Sequence, residues 1–187
     1  MRNFILGIIA TLLLLFLGTL AIATLGFLPT NADSTPPRIE SHFAMSALDA
    51  SMERHAPRVT SPVPPTDENL IDGMKIYTMN CAGCHGNLDK KPSDFGRSFY
   101  PPAPQLILYP IDDPEWHIYY AVRTGIRYTG MPAWNKTLTD SEMWKVTAFL
   151  SRIEKLSPAV QDYWKKSTGV APPAVDPQGE QHEHHDK

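Results

Sequence analysis

Cys81-Ala82-Gly83-Cys84-His85 contains both cysteines of this 187-residue chain, so any chemistry that uses one thiol has the other beside it. Two thiols one helical turn apart can add to the two vinyl groups of a haem, and the imidazole that follows then lies against the iron. The motif therefore predicts covalent attachment through Cys81 and Cys84 and one axial ligand, His85. The alternatives are a thioredoxin-like redox pair, which needs a βαβ context, and a zinc site, which needs two more ligands at matching spacing. Neither requirement is met in the sequence.

A candidate for the second axial ligand lies in Thr129-Gly130-Met131-Pro132. Gly130 allows close backbone approach and Pro132 stiffens the exit of the turn, so a loop presents the Met131 sulfur. Histidine and thioether together close both axial positions and raise the potential, which suits reversible one-electron transfer. Three other methionines lie in helical patterns, where a flexible core filler is the expected role: Met74, Met79 and Met143.

The segment from about Thr66 to Leu156, roughly half of the chain, resembles a class I (mono-haem) cytochrome c domain. The resemblance rests on a first helix that runs into the cysteine motif, a proline-rich loop, a middle helix, Gly130-Met131-Pro132-Ala133-Trp134 and a closing helix. It implies an all-α fold in which three main helices surround one covalent haem c with its iron. It also implies a crossing of the first and last helices, for which the matching positions are Gly73, Tyr77, Val146 and Phe149.

The helix boundaries follow from capping residues. Thr66 is expected to cap the first helix, which ends at Cys81. Asp113 and Pro114 are expected as the N-cap and first residue of the middle helix, with Gly125 ending it. The last helix is expected to open with a capping box formed by Thr139 and Glu142.

Several further residues are candidates for contacts with the haem. Arg123 and Arg127 flank the turn before Met131, and an arginine fork matches a haem propionate, although a solvated arginine is the competing interpretation. Trp134 is expected to pack on the haem. The resemblance implies that a carbonyl of the proline-bearing loop, to which Pro102 belongs, orients the His85 ring. His42, His55 and His117 are expected to be structural or solvent-facing rather than ligands.

Residues 1–28 are expected to form a transmembrane anchor, because about 25 residues from Phe4 to Leu28 lack charge and would make roughly 37 Å of helix. A cleaved signal peptide ending near Ala21-Ile22-Ala23 is the alternative. The resemblance implies haem attachment outside the cytoplasmic membrane in bacteria. We therefore expect a single-pass protein of the bacterial inner membrane with its haem domain on the periplasmic side, and Arg2 agrees with that orientation.

Residues 29–65 are expected to be a proline-rich linker with an amphipathic helix near 38–55, which would lie on the membrane, on the haem domain or on a partner, or remain in solvent. The haem domain is expected to cover 66–156. Residues 157–187 are expected to be a largely disordered tail with a short helix around 160–166. A weak metal-binding pattern occurs in this tail at His182, His184 and His185, for which a solvated tail is the favoured interpretation.

The net charge of −3 and the pI of about 6.1 give no basic stripe, so nucleic acid is not expected as a partner. We expect a membrane-tethered electron carrier, not an enzyme, that passes single electrons from a respiratory-chain or dehydrogenase donor to a terminal acceptor. No small-molecule substrate is expected. One alternative is a fixed cytochrome subunit of a larger membrane oxidoreductase. The other is a haem sensor or enzyme, which requires an open sixth position and is disfavoured by the Met131 turn.

Overall fold

The computed structural model describes residues 1–173, and every regular element within them is helical, which confirms the all-α prediction. The described chain forms two compact units, which divide after Ala32. The first unit contains α1, Arg2–Thr24, which by length and composition could cross a membrane. A signal sequence would pass the same test. The helix ends before Gly26, whose φ of +80° lies in the left-handed region.

The second unit begins with α2, Arg38–His55, at the bounds that the sequence predicts. Its C-terminal end packs on the haem domain, because Met52 and Ala56 are buried and the Arg58 guanidinium lies 5.3 Å from the centroid of the Trp116 ring. The linker helix is therefore part of the haem-domain unit. Its N-terminal half is solvated on the side of Ile39 and Phe43, which are 86% and 77% exposed.

The crossing of α3, Asp67–Asn80, with α7, Asp140–Leu150, is the main contact of the fold. Gly73 permits it, since a Cβ there would overlap the carbonyl oxygen of Lys145 and lie 2.9 Å from Cβ of Phe149. The Tyr77 and Phe149 rings pack with their centroids 5.8 Å apart. The crossing that the resemblance implies is thus present at the expected residues.

Local capping explains where these two helices begin. The Thr66 hydroxyl accepts a hydrogen bond from the Asn69 amide at 3.3 Å. Thr139 and Glu142 form the complete capping box that the sequence predicts. Both caps could be found in the sequence because each depends only on residues within one turn.

The elements between the crossing helices are short. They are α4, Ala82–His85; α5, Asp94–Arg97; α6, Glu115–Thr124; and a 3₁₀ turn, Trp134–Lys136. The predicted start of α6 is wrong by one residue, because Pro114 is extended and serves as the N-cap while the Asp113 carboxylate accepts from Nδ1 of His117 at 3.0 Å. Gly125 ends α6 as predicted, at a φ of +67°.

The predicted domain end at Leu156 leaves out α8, Pro158–Thr168, which the structure packs into the core. Val160 and Trp164 are fully buried, and the Trp164 ring lies 5.9 Å from that of Phe149. Its indole N–H donates to the carbonyl of Leu88 at 3.1 Å. Residues 157–168 are therefore part of the folded domain rather than of a tail. The predicted histidine tract lies outside the described residues.

Two of the three methionines assigned to the core are confirmed there. Met74 and Met143 are 1% and 2% exposed. The prediction for Met79 is wrong, because its side chain is 75% exposed. Met79 follows the buried Tyr77 by two positions, which on a helix places it on nearly the opposite side.

Candidate haem site

The cysteine motif forms one turn of helix at the end of α3. The amide of Cys81 donates to Tyr77 at 2.8 Å, and the amides of Cys84 and His85 both donate back to the carbonyl of Cys81, at 3.0 and 2.9 Å. Side chains three and four positions apart share one side of such a turn. Cys81, Cys84 and His85 are therefore on one side, and both thiols are free.

The His85 ring is oriented by a carbonyl of the proline-rich loop. Nδ1 lies 2.8 Å from the Pro104 oxygen, and because a carbonyl only accepts, Nδ1 must carry the proton. Nε2 of the neutral ring is then a lone-pair donor suited to iron. Burial lowers the pKa of His85, which favours this neutral form. Pro102 lies two residues earlier in the same loop and is exposed.

The His85 backbone is fixed as firmly as its ring. Its carbonyl accepts from the Leu106 amide and from the Tyr77 hydroxyl, both at 3.0 Å, and the Gly86 carbonyl accepts from the same hydroxyl at 2.7 Å. Burial raises the pKa of Tyr77, so this hydroxyl keeps its proton. The neighbouring Cys84 carbonyl accepts from the side-chain Nε2 of Gln105 at 3.1 Å.

Close packing of α5 holds the other side of the motif. Gly96 lies so near Cys84 that a Cβ would overlap the Cys84 carbonyl. The Ser93 hydroxyl donates to Gly83 and accepts from the Gly96 amide at 2.8 Å. A larger residue at position 96 would therefore displace the motif itself.

Met131 lies in a loop whose backbone is held by hydrogen bonds between residues of the loop itself. Its amide donates to the Thr129 hydroxyl at 3.0 Å, that hydroxyl donates to Ile126 at 2.7 Å, and the Ile126 amide donates to the Met131 carbonyl at 3.1 Å. Gly125 makes room for the loop, since a Cβ there would lie 2.7 Å from that carbonyl. The side chain is half-buried against the core. These bonds hold the backbone of the turn, and the role of Met131 as iron ligand stays a prediction.

The remaining candidates differ in their surroundings. Arg123 and Arg127 are both exposed, and the Arg127 guanidinium lies 6.0 Å from the centroid of the Tyr128 ring. Trp134 is half-buried against the core, and its buried Nε1 has no hydrogen-bond partner among residues 1–173. Their contacts with the propionates and the porphyrin stay predictions. His42 and His55 are exposed, whereas His117 is buried beside Asp113.

These residues fit a covalent haem c. Two free thiols and an oriented imidazole share one helical turn, and a thioether is presented by a separate hydrogen-bonded loop. The buried indole N–H of Trp134 leaves one donor for an acceptor that a propionate would bring. An imidazole and thioether donor set is typical of iron in electron-transfer cytochromes.

Residues 68–150 match the family model described as cytochrome c oxidase, cbb3-type, subunit III. The match begins in the first turn of α3 and ends at the last residue of α7, so it includes both the cysteine motif and the Met131 loop. This part of the chain is a mono-haem c-type cytochrome domain of the class I cytochrome c fold, and its cofactor is covalent haem c with iron. The curated proteins include none that matches the chain.

The sequence does not single out the groups that hold the motif, which are the Pro104 carbonyl, the Gln105 side chain, the Ser93 hydroxyl, the Leu106 amide and the Tyr77 hydroxyl. The proline-rich loop indicated where a carbonyl partner would come from, but its path past the ring decides which carbonyl it is. Tyr77 was recognised as a packing aromatic at the crossing. Its hydroxyl also donates to the His85 and Gly86 carbonyls. These carbonyls reach it only because the chain turns back after α4, and no local sequence pattern indicates that turn.

Proposed function

We propose that the protein is a membrane-tethered mono-haem cytochrome c that carries single electrons between a respiratory-chain or dehydrogenase donor and a terminal acceptor, and that it is not itself a catalyst. The support is the separate fixing of the two candidate ligands, His85 through Pro104 and Met131 through its closed loop. Bound haem iron supplies a reversible one-electron couple. If the same two ligands are held in place in the ferric and the ferrous protein, the site needs little rearrangement, which favours fast transfer of one electron.

A further part of the proposal is the membrane tether. We propose that α1 remains as a single-pass anchor in the bacterial inner membrane with the haem domain on the periplasmic side. Since α2 packs with the haem domain, the connection between α1 and that domain runs from Leu25 to Pro37, which would span roughly 40 Å if extended at about 3.1 Å per residue. N-terminal sequencing of the membrane-purified protein tests this, because cleavage near Ala23 would remove the anchor.

The test of electron transfer uses the full-length holoprotein. We expect the ferrous protein to reduce a soluble one-electron acceptor rapidly while binding carbon monoxide slowly and incompletely, because the proposed Met131 ligand closes the sixth position. Rapid binding of one carbon monoxide per haem by the wild-type protein would instead indicate a haem sensor or enzyme.

The second candidate function is a fixed cytochrome subunit of a larger membrane oxidoreductase. It is supported by the name of the matched family, which describes a subunit of an oxidase, and by the solvated apolar side chains of Ile39 and Phe43. Mild detergent extraction followed by native sizing separates the two functions. A shuttle migrates alone, whereas a subunit migrates with its complex and carries the haem signal there.

A further inference from the structure

Tyr77 occupies the point where the helix crossing meets the haem motif. Its side chain is fully buried on α3, and its ring packs against Phe149 of α7. Its hydroxyl lies 2.7 Å from the Gly86 carbonyl and 3.0 Å from the His85 carbonyl. One residue therefore contacts both the main packing interface and the backbone of the proposed iron ligand.

The hydroxyl has a function that the ring does not explain. A phenylalanine would fill the same space against Phe149, but a buried hydroxyl is retained at no loss only when it is hydrogen-bonded. It carries one proton, and both of its acceptors are carbonyls of consecutive residues beginning with His85. Its hydrogen bonding is thus directed entirely at the end of the haem motif.

Besides the hydrogen bond of its own amide to Cys81 within the helical turn, His85 has two other constraints, and both come from one loop. The Leu106 amide holds the His85 carbonyl, and the Pro104 carbonyl holds Nδ1 of the ring. Tyr77 adds a constraint from a different part of the fold, the α3–α7 crossing. The ligand is therefore fixed from two directions, by a loop and by the packed helices.

We propose that the Tyr77 hydroxyl is a positioning residue for the haem iron, which fixes the His85 backbone to the α3–α7 crossing and raises the reduction potential. Its O–H dipole points its positive end at the ligand backbone, and a positive potential there disfavours the ferric state, which carries the extra positive charge. The inference rests on the proposed role of His85 as axial ligand.

The test compares two variants of the full-length holoprotein. Tyr77→Phe keeps the ring and removes only the hydroxyl, so we expect a lower reduction potential and a changed pattern of haem-methyl NMR shifts, which report the orientation of the axial imidazole. The matched control Val160→Ala empties a fully buried position of α8 and keeps the Tyr77 ring, its packing partner Phe149 and the hydroxyl. We expect it to lower the thermal midpoint while leaving the potential and the shift pattern as in wild type.

A second substitution keeps the inference testable if Tyr77→Phe fails to retain haem. Fluorotyrosine at position 77 has a more acidic hydroxyl and is a stronger donor, so the potential should shift upward relative to wild type. An unchanged reduction potential in the Tyr77→Phe holoprotein or in the fluorotyrosine holoprotein would overturn the inference. A wild-type protein that binds carbon monoxide rapidly would overturn the electron-carrier proposal instead, and the comparison at position 77 would still be informative.

Discussion

Met131 is the proposed sixth ligand, and in that role its side chain is expected to decide the redox properties of the site. We expect Met131→His to leave the iron six-coordinate and low-spin but to lower the potential, because imidazole stabilises ferric iron more than a thioether does. Met131→Ala should open the sixth position and give a high-spin or water-ligated ferric haem that binds small ligands. Absorption spectra, electron paramagnetic resonance and redox titration measure these changes.

Met79→Ala is the control for Met131, because Met79 is 75% exposed at the end of α3. Its spectrum and potential should equal those of wild type. The assignment fails if the thioether-to-iron charge-transfer band survives Met131→Ala and is lost in another methionine variant.

At this scale the sequence is most informative where chemistry is local. The predicted roles of Cys81, Cys84 and His85 rest on one pentapeptide. Gly130 and Pro132 indicate the turn at Met131, but its hydrogen bonds involve Thr129 and Ile126. Pro104 and the Tyr77 hydroxyl could not be predicted, because each is chosen by the path of chain that returns to the motif from elsewhere. The prediction that Met79 packs in the core is wrong, because a single methionine gives little information about which side of a helix faces the core.

At the scale of elements, the α3–α7 crossing depends on the missing side chain of Gly73. We expect Gly73→Ala to destabilise the fold by about 2 kcal/mol or more, because the added methyl would overlap the Lys145 backbone and push the helices apart. Chemical denaturation of the holoprotein measures this. Glu68→Ala, at an exposed position on the same helix, should change stability by no more than about 0.5 kcal/mol, and equal effects of the two would refute the packing argument.

An ion pair across the same crossing gives it a dependence on pH. Hydrogen bonds from Lys145, at 2.8 Å, and from Lys75 hold the pKa of Asp72 below its usual value. A lowered folded-state pKa contributes stability above the unfolded value, and this contribution is lost as pH falls through the folded value. Asp72→Asn should therefore cost about 0.5 to 1 kcal/mol at neutral pH, a small amount because the carboxylate is one-third exposed.

Unfolding measurements at neutral and strongly acid pH test the prediction for Asp72. The difference between Asp72→Asn and wild type should vanish at acid pH, where both side chains are neutral. A difference that is constant across pH would mean that Asp72 acts through packing or helix capping instead of charge.

Helix ends were predictable where caps are complete within one turn, as at Thr139 and Glu142. The start of α6 was missed because the Asp113 carboxylate has a competing partner, His117. The sequence analysis predicts only a short helix around 160–166, whereas α8 is longer and belongs to the core. Ser157 caps it, a proline follows at its first position, and the buried Val160 and Trp164 are one helical turn apart. The residues after Thr168 are rich in proline, glycine, glutamine and glutamate, and this composition favours a disordered tail over a packed helix.

At the scale of the whole molecule, α8 completes the core that α3 and α7 begin. We expect Trp164→Ala to cost about 3 to 5 kcal/mol, because it empties a fully buried site beside Phe149 and removes the donor to Leu88. Denaturation of the holoprotein measures the loss. Asp162→Ala, at an exposed position of the same helix, is the control, and a similar effect there would show that α8 is stabilised as a helix rather than by packing.

The burial of Cys81 has a consequence for how the protein is made. Cys81 is 8% exposed within the core cluster, and burial raises the pKa of its thiol to about 12, so in the folded chain the thiol is largely shielded and stays protonated at neutral pH. We therefore expect its proposed thioether bond to form before the domain folds. Because α7, which packs on α3, begins only at Asp140, a chain exported from the proposed anchor onwards would expose the cysteines before that helix follows. Haem attachment is thus expected to act on the unfolded chain, which then folds around the completed thioether bonds.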